Sequence, residues 1–265
     1  MDQTSTSPTL KSRTQGTGKD LVFIHGWGMN SGAFHEFIPY LSEQFRITTI
    51  DLPGFGENWD QVPEPYTLEA IAEWIALQIP EGAFLAGWSL GGLVAQYLAC
   101  QPNCRLGGLI TIASTPKFVA SQCWPGIEPD LLQMFETQLE LDYRKTLDRF
   151  LMIQAMGSET ARKDIKTIKS QITLFPDPSA LALKDGLGLL SSVDLRQSIG
   201  RIQIPTLKLY GRLDSLVPTS VIDSIHELQP QADSVVLPHA SHAPFISHPQ
   251  QVADIIGQFV VHPRS

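Results

Sequence analysis

The stretch Gly87-Trp88-Ser89-Leu90-Gly91 decides the fold of this chain, because it joins a predicted strand to a predicted helix. Residues 83–86 before it form a short apolar run typical of a buried strand, and residues 93–99 after it are apolar at helical spacing. A serine on so sharp a turn needs φ > 0, which the small glycines on either side accommodate. The G-x-S-x-G pattern therefore predicts a nucleophilic Ser89 at the start of a helix whose N–H groups face it.

The composition limits the classes of protein to consider. The 265 residues suffice for one α/β domain with an insertion, and 43% hydrophobic with 17% charged residues suit a soluble globular protein. No apolar run approaches the roughly 20 residues of a membrane span, so no membrane partner is expected. The net charge of −8 argues against general nucleic-acid binding. Residues 1–18 are polar without the features of a secretory signal, and we expect a disordered tail there.

The chain has three cysteines without the spacing of a disulfide scaffold, Cys100, Cys104 and Cys123. The first two lie four residues apart, but no further His or Cys pair completes a metal site, so we expect reduced, buried thiols and no metal. This cysteine usage and the lack of a signal sequence predict a cytoplasmic location. No cofactor is predicted.

Short apolar strands alternate with helical patterns over most of the chain, which predicts a mostly parallel, twisted sheet with helices on both faces. Only helical segments are expected from residue 123 to 191. We therefore predict an α/β core, 19–122 and 192–265, with a helical cap, 123–191, inserted between the later strands. The predicted core strands are 21–24, 47–50, 83–86, 109–113, 205–210 and 234–237. The predicted core helices are 32–44 (capped by Ser31), 68–79, 90–101, 219–228 and 250–260, and the cap helices are 130–141, 143–156, 160–172 and 179–190.

A base and an acid for the serine follow the later strands. Asp214 comes after the strand 205–210 and His242 after the last strand, so the chain order is serine, acid, histidine. Such residues meet at the carboxyl edge of a parallel sheet. Histidine takes up a proton near neutral pH, and an aspartate fixes its tautomer. The sequence predicts a catalytic triad of Ser89, Asp214 and His242; the alternative is a glycine-rich turn with an incidental serine.

Both the base and the acid have rivals in the sequence. His239 and His248 lie on either side of His242, which we favour because its small neighbours leave room around the ring. Asp223 lies inside a predicted helix, where a solvated charge is expected. Asp51 also follows a strand, and we interpret it as a structural residue that holds its own Pro-Gly turn.

Two backbone donors are needed for an oxyanion hole. The N–H of Leu90, directly after the serine, is one candidate, and the N–H of Trp27 in His25-Gly26-Trp27-Gly28 is the other. That loop follows the first core strand, and a plain glycine turn is its alternative interpretation. Loss of one such donor typically costs roughly 3 kcal/mol of transition-state stabilisation.

A family resemblance rests on seven stretches: HGWGMN at 25–30, DLPGFG at 51–56, GWSLGGLV at 87–94, WPGI at 124–127, MGSETAR at 156–162, VDLRQ at 193–197 and HAPFISHP at 242–249. From about residue 19 to 263 the chain resembles the α/β-hydrolases with a helical cap. Within that superfamily it resembles most the carboxylesterases of biotin synthesis that act on pimeloyl-acyl-carrier-protein methyl ester. The triad motifs are generic, whereas the cap stretches and VDLRQ are more discriminating.

The resemblance implies a reaction and a set of binding residues. Ser89 would attack the methyl ester carbonyl of a pimeloyl chain on acyl carrier protein, methanol would leave, and water acting with His242 would release the acyl group. For the segment 150–154, packing within the cap is the alternative, and one apolar face can serve both. The substrate-binding residues implied are Trp27, Ser89, Leu90, Phe150, Leu151, Met152, Ile153, Gln154 and His242.

The charge of the cap gives independent support for an acidic partner. Residues 144–169 carry seven basic and three acidic side chains, a net charge of +4 within a chain of −8. Acyl carrier proteins are acidic; a solvated helix face is the alternative. By resemblance the docking residues are Lys145, Arg149, Arg162 and Lys166, two of which are lysines where the family tends to have arginine.

Three other functions remain open on the sequence alone. A general short-chain carboxylesterase would use the same triad without a carrier partner. A ligand receptor on the same fold would bind without turnover, and a haloperoxidase-like enzyme requires nothing different in the triad. A monomer is expected in each case.

Overall fold

The computed structural model describes residues 9–158 and 160–263, and a seven-stranded sheet forms its centre. The strand order is β1-β3-β2-β4-β5-β6-β7; β1 is antiparallel to β3, and all other pairs are parallel. The predicted α/β-hydrolase architecture is confirmed. The strands are β1 Ser12–Gln15, β2 Lys19–Ile24, β3 Phe45–Ile50, β4 Phe84–Trp88, β5 Gly108–Ile112, β6 Thr206–Gly211 and β7 Asp233–Leu237.

Helices cover both faces of the sheet because successive strand residues point to opposite sides. In β2, Val22 and Ile24 pack into one apolar cluster, and Leu21 and Phe23 pack into the other. The core helices are α1 Leu68–Ala76, α2 Leu90–Ala99, α7 Ile222–Leu228, α8 Pro244–Ser247 and α9 Pro249–Val261. Four further helices lie between β5 and β6, where the cap is predicted: α3 Pro129–Leu141, α4 Tyr143–Ala155, α5 Ala161–Ile172 and α6 Ala180–Ser192.

The predicted helix 32–44 is wrong. Two short 3-10 helices, Ser31–Phe34 and Ile38–Tyr40, occupy this stretch. Pro39 interrupts the pattern, since proline lacks an N–H and clashes with the preceding turn. The cap is Asn30 rather than Ser31, because its side-chain oxygen accepts the N–H of Gly32 at 3.0 Å.

The predicted disordered tail is also wrong over its second half. Residues Ser12–Gln15 form β1 and pair with β3 in the register Ser12 to Ile50. The hydroxyls of Thr14 and Thr48 lie 2.9 Å apart across the pair. Gly16 has φ of 81°, which lets the chain turn from β1 towards β2. The first eight residues of the predicted tail, 1–8, and residues 264–265 of the predicted core lie outside the described part of the chain.

Three further findings concern what the described residues lack. No helix among them has the length and apolar character needed to cross a membrane. They contain no cluster of three or more His, Cys, Asp or Glu residues suited to a metal ion. The cysteines are unpaired, but they are not buried as predicted: Cys100 and Cys104 are half-buried, and Cys123 is exposed.

Candidate active site

Ser89 occupies the turn between β4 and α2 with a backbone conformation that few residues other than glycine adopt, φ 54° and ψ −117°. Its N–H donates to the carbonyl of Ile112 at 3.0 Å, and the hydroxyl of Ser114 donates to its carbonyl at 2.8 Å. A side chain at Gly87 would collide with the backbone of Gly91. The glycines of the motif thus permit the close backbone packing that holds the serine in this conformation.

His242 and Asp214 form a buried pair at the ends of the later strands. The ring Nδ1 of His242 lies 2.8 Å from Asp214 Oδ2, and both residues are buried. The other carboxylate oxygen accepts the N–H groups of Leu216 and Val217 at 2.8 and 3.0 Å. An ionised carboxylate can only accept, so Nδ1 carries the proton, and in the neutral ring Nε2 is the acceptor.

The loop that carries His242 is held against the nucleophile turn. The indole N–H of Trp88, the residue before Ser89, donates to the carbonyl of His242 at 2.8 Å. The two rings lie 6.0 Å apart. His242 Nε2 is buried and has no hydrogen-bond partner among the residues described, so no direct bond to the Ser89 hydroxyl is formed. Such bonds are often long in enzymes without substrate and tighten only when substrate binds.

None of the rival residues reaches this pair. His239 is exposed, and the Nδ1 of His248 is bonded to the Ser247 hydroxyl at 2.8 Å. Asp223 is exposed on α7. The buried carboxylate of Asp51 accepts the N–H of Glu57 at 2.9 Å and that of Ser31, so it is engaged in bracing its own turn. His248 and Asp51 therefore make contacts of a structural kind, and His239 and Asp223 lie at the surface.

The loop after β2 lies beside Ser89, as an oxyanion hole requires. An added Cβ at Gly26 would stand 3.1 Å from the Cβ of Ser89. The N–H groups of Trp27 and Leu90 donate to no other residue within the described chain. Two unpaired donors at a strand end and at a helix start are the type of group that stabilises an oxyanion.

His25 braces this loop, a role that the sequence analysis did not assign. Its Nδ1 donates to the carbonyl of Gly26 at 2.8 Å, and its Nε2 accepts the N–H of Leu52 at 3.0 Å. Only the neutral ring can do both. Burial lowers the pKa of His25, with a smaller opposing effect from Asp51. Its position directly after a core strand is the signal that could have suggested such a role.

The side chains of the predicted substrate-binding segment of α4, residues 150–154, point in different directions. The ring of Phe150 lies 4.8 Å from that of Trp27, whose indole N–H donates to the carbonyl of Leu183 in α6 at 2.9 Å. Gln154 is buried, and neither atom of its side-chain amide has a partner among the described residues. Met152 is 55% exposed and lies on the side of the helix away from the Phe150–Trp27 contact, and its predicted contact with the substrate stays a prediction. The helix turns it outward, since it lies half a turn from Phe150 and Gln154.

The other two residues of the segment, Leu151 and Ile153, pack against the apolar clusters of the protein. Leu151 is buried against the second apolar cluster and borders a cavity of about 430 Å³ between α4, α5 and the loop at Gly28. Ile153 is partly buried against the first cluster. Both make contacts expected of helix packing, which was the alternative interpretation.

The backbone of α4 is also tied to the histidine loop. The carbonyl of Gln154 accepts both the Ser241 hydroxyl at 2.7 Å and the N–H of His242 at 3.1 Å. Sequence patterns carry no signal for such a contact, because any residue supplies a carbonyl.

The four predicted docking residues lie on the outer side of α4 and α5, and all are exposed. Arg149 donates to the side-chain oxygen of Gln138 at 2.6 Å. Lys145, Arg162 and Lys166 have no ion pair within residues 9–158 and 160–263. Three other basic residues of the cap are paired: Arg144 with Asp177 and Lys169 with Asp148, each at 2.6 Å, and Lys184 with Glu140 at 3.0 Å. Glu159 lies outside the described residues.

A family comparison agrees with this arrangement. The profile of the α/β hydrolase fold family matches residues 20–249, so the chain belongs to the α/β-hydrolase fold family. The match covers the nucleophile turn, the loop after β2, the whole cap and the histidine loop.

Similar proteins share a more specific name. The "Pimeloyl-[acyl-carrier protein] methyl ester esterase" of Aeromonas hydrophila is 49% identical over 245 residues, 92% of this chain and 96% of that protein. A protein of the same name from Pseudoalteromonas atlantica is 47% identical over 241 residues, 91% of this chain and 93% of that protein.

Solved structures with low sequence identity share the fold. An esterase from Exiguobacterium antarcticum superposes with a TM-score of 0.84 at 22% identity and covers 96% of both chains. A bromoperoxidase from Bacillus anthracis gives a TM-score of 0.80 at 20% identity and covers 95% of both. These likenesses concern the fold alone, since the same fold carries different chemistries.

Proposed function

We propose that this chain is a serine carboxylesterase that hydrolyses the methyl ester of pimeloyl-acyl-carrier protein. The products are methanol and pimeloyl-acyl-carrier protein, an intermediate of biotin synthesis. The observation that carries the proposal is the 49% identity to a relative of that name over 92% of this chain. The buried His242–Asp214 pair beside the strained Ser89 supports the chemistry.

The reaction proceeds in two halves. His242 Nε2 takes the proton of the Ser89 hydroxyl as its oxygen attacks the ester carbonyl, and Asp214 stabilises the charged ring. The resulting oxyanion accepts hydrogen bonds from the N–H groups of Leu90 and Trp27. His242 then gives the proton to the departing methoxy oxygen, which leaves as methanol. Water attacks the acyl-serine in the same way, and the acid product leaves as Ser89 regains its proton.

The inner face of the cap suits the acyl chain. Phe150 and Trp27 stack edge to face and offer an apolar wall close to the proposed oxyanion hole. The unpaired amide of Gln154 supplies a buried polar group near the histidine loop. A buried amide without partners is costly, so a ligand or water that satisfies it gains free energy.

The carrier partner is supported by charge. Three of the docking residues form no ion pair within the described chain: Lys145, Arg162 and Lys166. These exposed positive charges contrast with the net charge of −8 of the whole protein. In the proposal the α/β core performs the chemistry and the cap (123–191) binds the acyl chain and docks the carrier. We also propose a location in the cytoplasm, which the three unpaired cysteines support, and a monomeric state.

The decisive experiment compares kcat/KM for pimeloyl methyl ester on acyl carrier protein with that for the same ester free. Each is measured at low and moderate salt. We expect a strong preference for the carrier-bound ester that shrinks with salt, because screening weakens charge attraction over distances beyond about 10 Å at 0.1 M. If kcat/KM is equal for the two esters and does not change with salt, the proposed triad stands, but the protein is a general carboxylesterase without a carrier partner. Binding of either ester without multiple turnover would indicate a receptor.

A further inference from the structure

Two methionines stand out on the outer face of the cap. Met152 is 55% exposed and Met156, which follows the last residue of α4, is 56% exposed. Together with Lys145 and Arg149 they are spaced at 145, 149, 152 and 156, which puts all four on one side of the helix. The opposite side of α4 is buried, so packing of the cap does not account for the methionines.

Exposed methionine is well suited to contact a partner. Its unbranched, polarisable side chain adapts to irregular surfaces, and it is enriched at surfaces that bind helices. Two such side chains one helical turn apart make a local apolar stripe, and stripes of this kind within a charged surface mark interaction sites. We call Met152 and Met156 the methionine pair.

Exposed cations lie on the helix that carries Met152 and on the helix packed beside it. Lys145 lies on the same face of α4, and the neighbouring helix α5 adds exposed Arg162, Lys163 and Lys166. None of these four cations has an ion pair within residues 9–158 and 160–263, whereas the chain as a whole is strongly acidic. An apolar stripe on a pair of helices that also carries unpaired cations fits a helix that is acidic at its edges and apolar at its centre.

We propose that the methionine pair is the apolar centre of the surface that docks the acyl carrier protein. The cations attract the carrier over a distance, and the methionines bury apolar side chains of one carrier helix once it has arrived. The proposal rests on the proposed function, and it adds a contact that is short-ranged and insensitive to salt. Charge contacts at a rim mainly set the rate of encounter, whereas a desolvated centre holds the complex.

The test is the double variant Met152→Gln with Met156→Gln, because glutamine keeps the length of methionine and replaces its apolar end by a polar one. Steady-state kinetics are measured with carrier-bound pimeloyl methyl ester and with the free ester, each at low and moderate salt. The matched control is Leu77→Gln, an equally exposed apolar side chain (60%) on the core rather than the cap.

We expect the KM for the carrier-bound ester to rise about tenfold at both salt concentrations, with kcat and all free-ester constants unchanged. The control should behave as the parent protein. A rise of less than about twofold, or an equal loss with the free ester, would overturn the role of the methionine pair. If the parent protein itself shows no preference for the carrier-bound ester, the proposed function fails. If the parent protein shows that preference and the double variant behaves in the same way, only the proposed role of the methionine pair fails.

Discussion

At the scale of single residues, the strained conformation of Ser89 is maintained by its surroundings. A non-glycine residue with φ near 54° costs roughly 1–3 kcal/mol. Bonds to Ile112 and Ser114 hold the backbone, and the close approach of Gly87 to Gly91 leaves no room for relaxation. The strain is tolerated because it presents the hydroxyl at the start of α2, where the helix N–H groups face it.

The Ser89→Ala variant should lose hydrolysis of the methyl ester by a factor of about 10³ to 10⁶, since no acyl-enzyme can form. The fold should persist, because alanine at this position keeps every backbone bond. Single-turnover kinetics with the carrier-bound ester measure the loss, and Ser247→Ala, outside the pair of Asp214 and His242, serves as control. Near-normal turnover by the alanine variant would remove Ser89 from the proposed mechanism.

Lys208 is a buried base far from the proposed chemistry. It is 2% exposed in β6, the strand next to the edge strand β7, and its ammonium has no hydrogen-bond partner in the described structure. Two further buried polar atoms without partners, Tyr210 Oη and Gln229 Oε1, belong to the same strand and to the residue after α7. Burial lowers the pKa of Lys208 from 10.5 to about 7.

Replacing this lysine by methionine should stabilise the fold. At pH 7 the unfolded chain holds the ammonium proton firmly, whereas the folded chain holds it weakly, so folding of the parent protein is penalised. We expect Lys208→Met to raise the free energy of unfolding by roughly 4 to 5 kcal/mol at pH 7 and below. The advantage should shrink as pH rises towards 10.5, where both states lose the proton. Urea unfolding across this pH range measures the difference, and the substitution of an exposed lysine, Lys11→Met, is the control. A stabilisation by Lys208→Met that does not change with pH would contradict the argument.

At the scale of elements, the strands were easier to predict than the helices. The strands β2 to β6 are mostly buried, because helices cover both faces of a parallel sheet, and short runs of this kind are detected in the sequence. The polar strand β1 has no such signal and depends on pairing with β3. The helix predicted over 32–44 fails at Pro39, whose effect outweighs the apolar spacing around it.

In the candidate site, too, some residues could be predicted from sequence patterns, whereas others are identified only by their tertiary contacts. Sequence order was enough to propose Ser89, Asp214 and His242, because parallel strands bring their following loops to one edge. The outward direction of Met152 has no signal in the sequence, since the family resemblance names a continuous segment while a helix turns successive residues through about 100°. The carbonyl of Gln154 was missed because backbone atoms have no sequence signature.

The end of α4 should help to position the catalytic histidine through Ser241. Its buried hydroxyl donates to the carbonyl of Gln154, which also receives the N–H of His242. In Ser241→Ala we expect kcat to fall about tenfold with KM nearly unchanged, because displacing a catalytic group by a fraction of an ångström has effects of this order. Steady-state kinetics with the free ester measure this directly.

Two comparison variants separate positioning from general destabilisation. Ser241→Thr keeps the hydroxyl and should recover most of the activity. Ser247→Ala removes a hydroxyl that bonds His248 and should leave kcat unchanged. Equal losses in both alanine variants, or no loss in either, would show that the contact with Gln154 is not needed to place His242.

At the scale of the whole molecule, two of the family stretches meet where the cap joins the core. The Lys117 ammonium lies 3.2 Å from the Asp194 carboxylate, and the Arg196 guanidinium stands 5.2 Å from the centre of the Trp124 ring. The Arg196 guanidinium is the main cause that lowers the pKa of Asp194 to about 2. The stretches 124–127 and 193–197 therefore join the two chain segments at the base of the cap, which explains them without a catalytic role.

The net charge of +4 on residues 144–169, within a chain of −8, leads to the last prediction. Reversal of two cap charges, Arg162→Glu with Lys166→Glu, should lower kcat/KM for the carrier-bound ester about 10- to 100-fold at low salt. The deficit should narrow as salt is added, while the free ester is hydrolysed as before, because neither side chain contacts the proposed site. The control is Arg105→Glu on the core, where the exposed guanidinium lies 3.8 Å from an exposed Glu81. If Arg105→Glu lowers kcat/KM for the carrier-bound ester as much as the cap variant does, net charge alone matters. If only the cap variant lowers it, the acidic partner binds at α4 and α5.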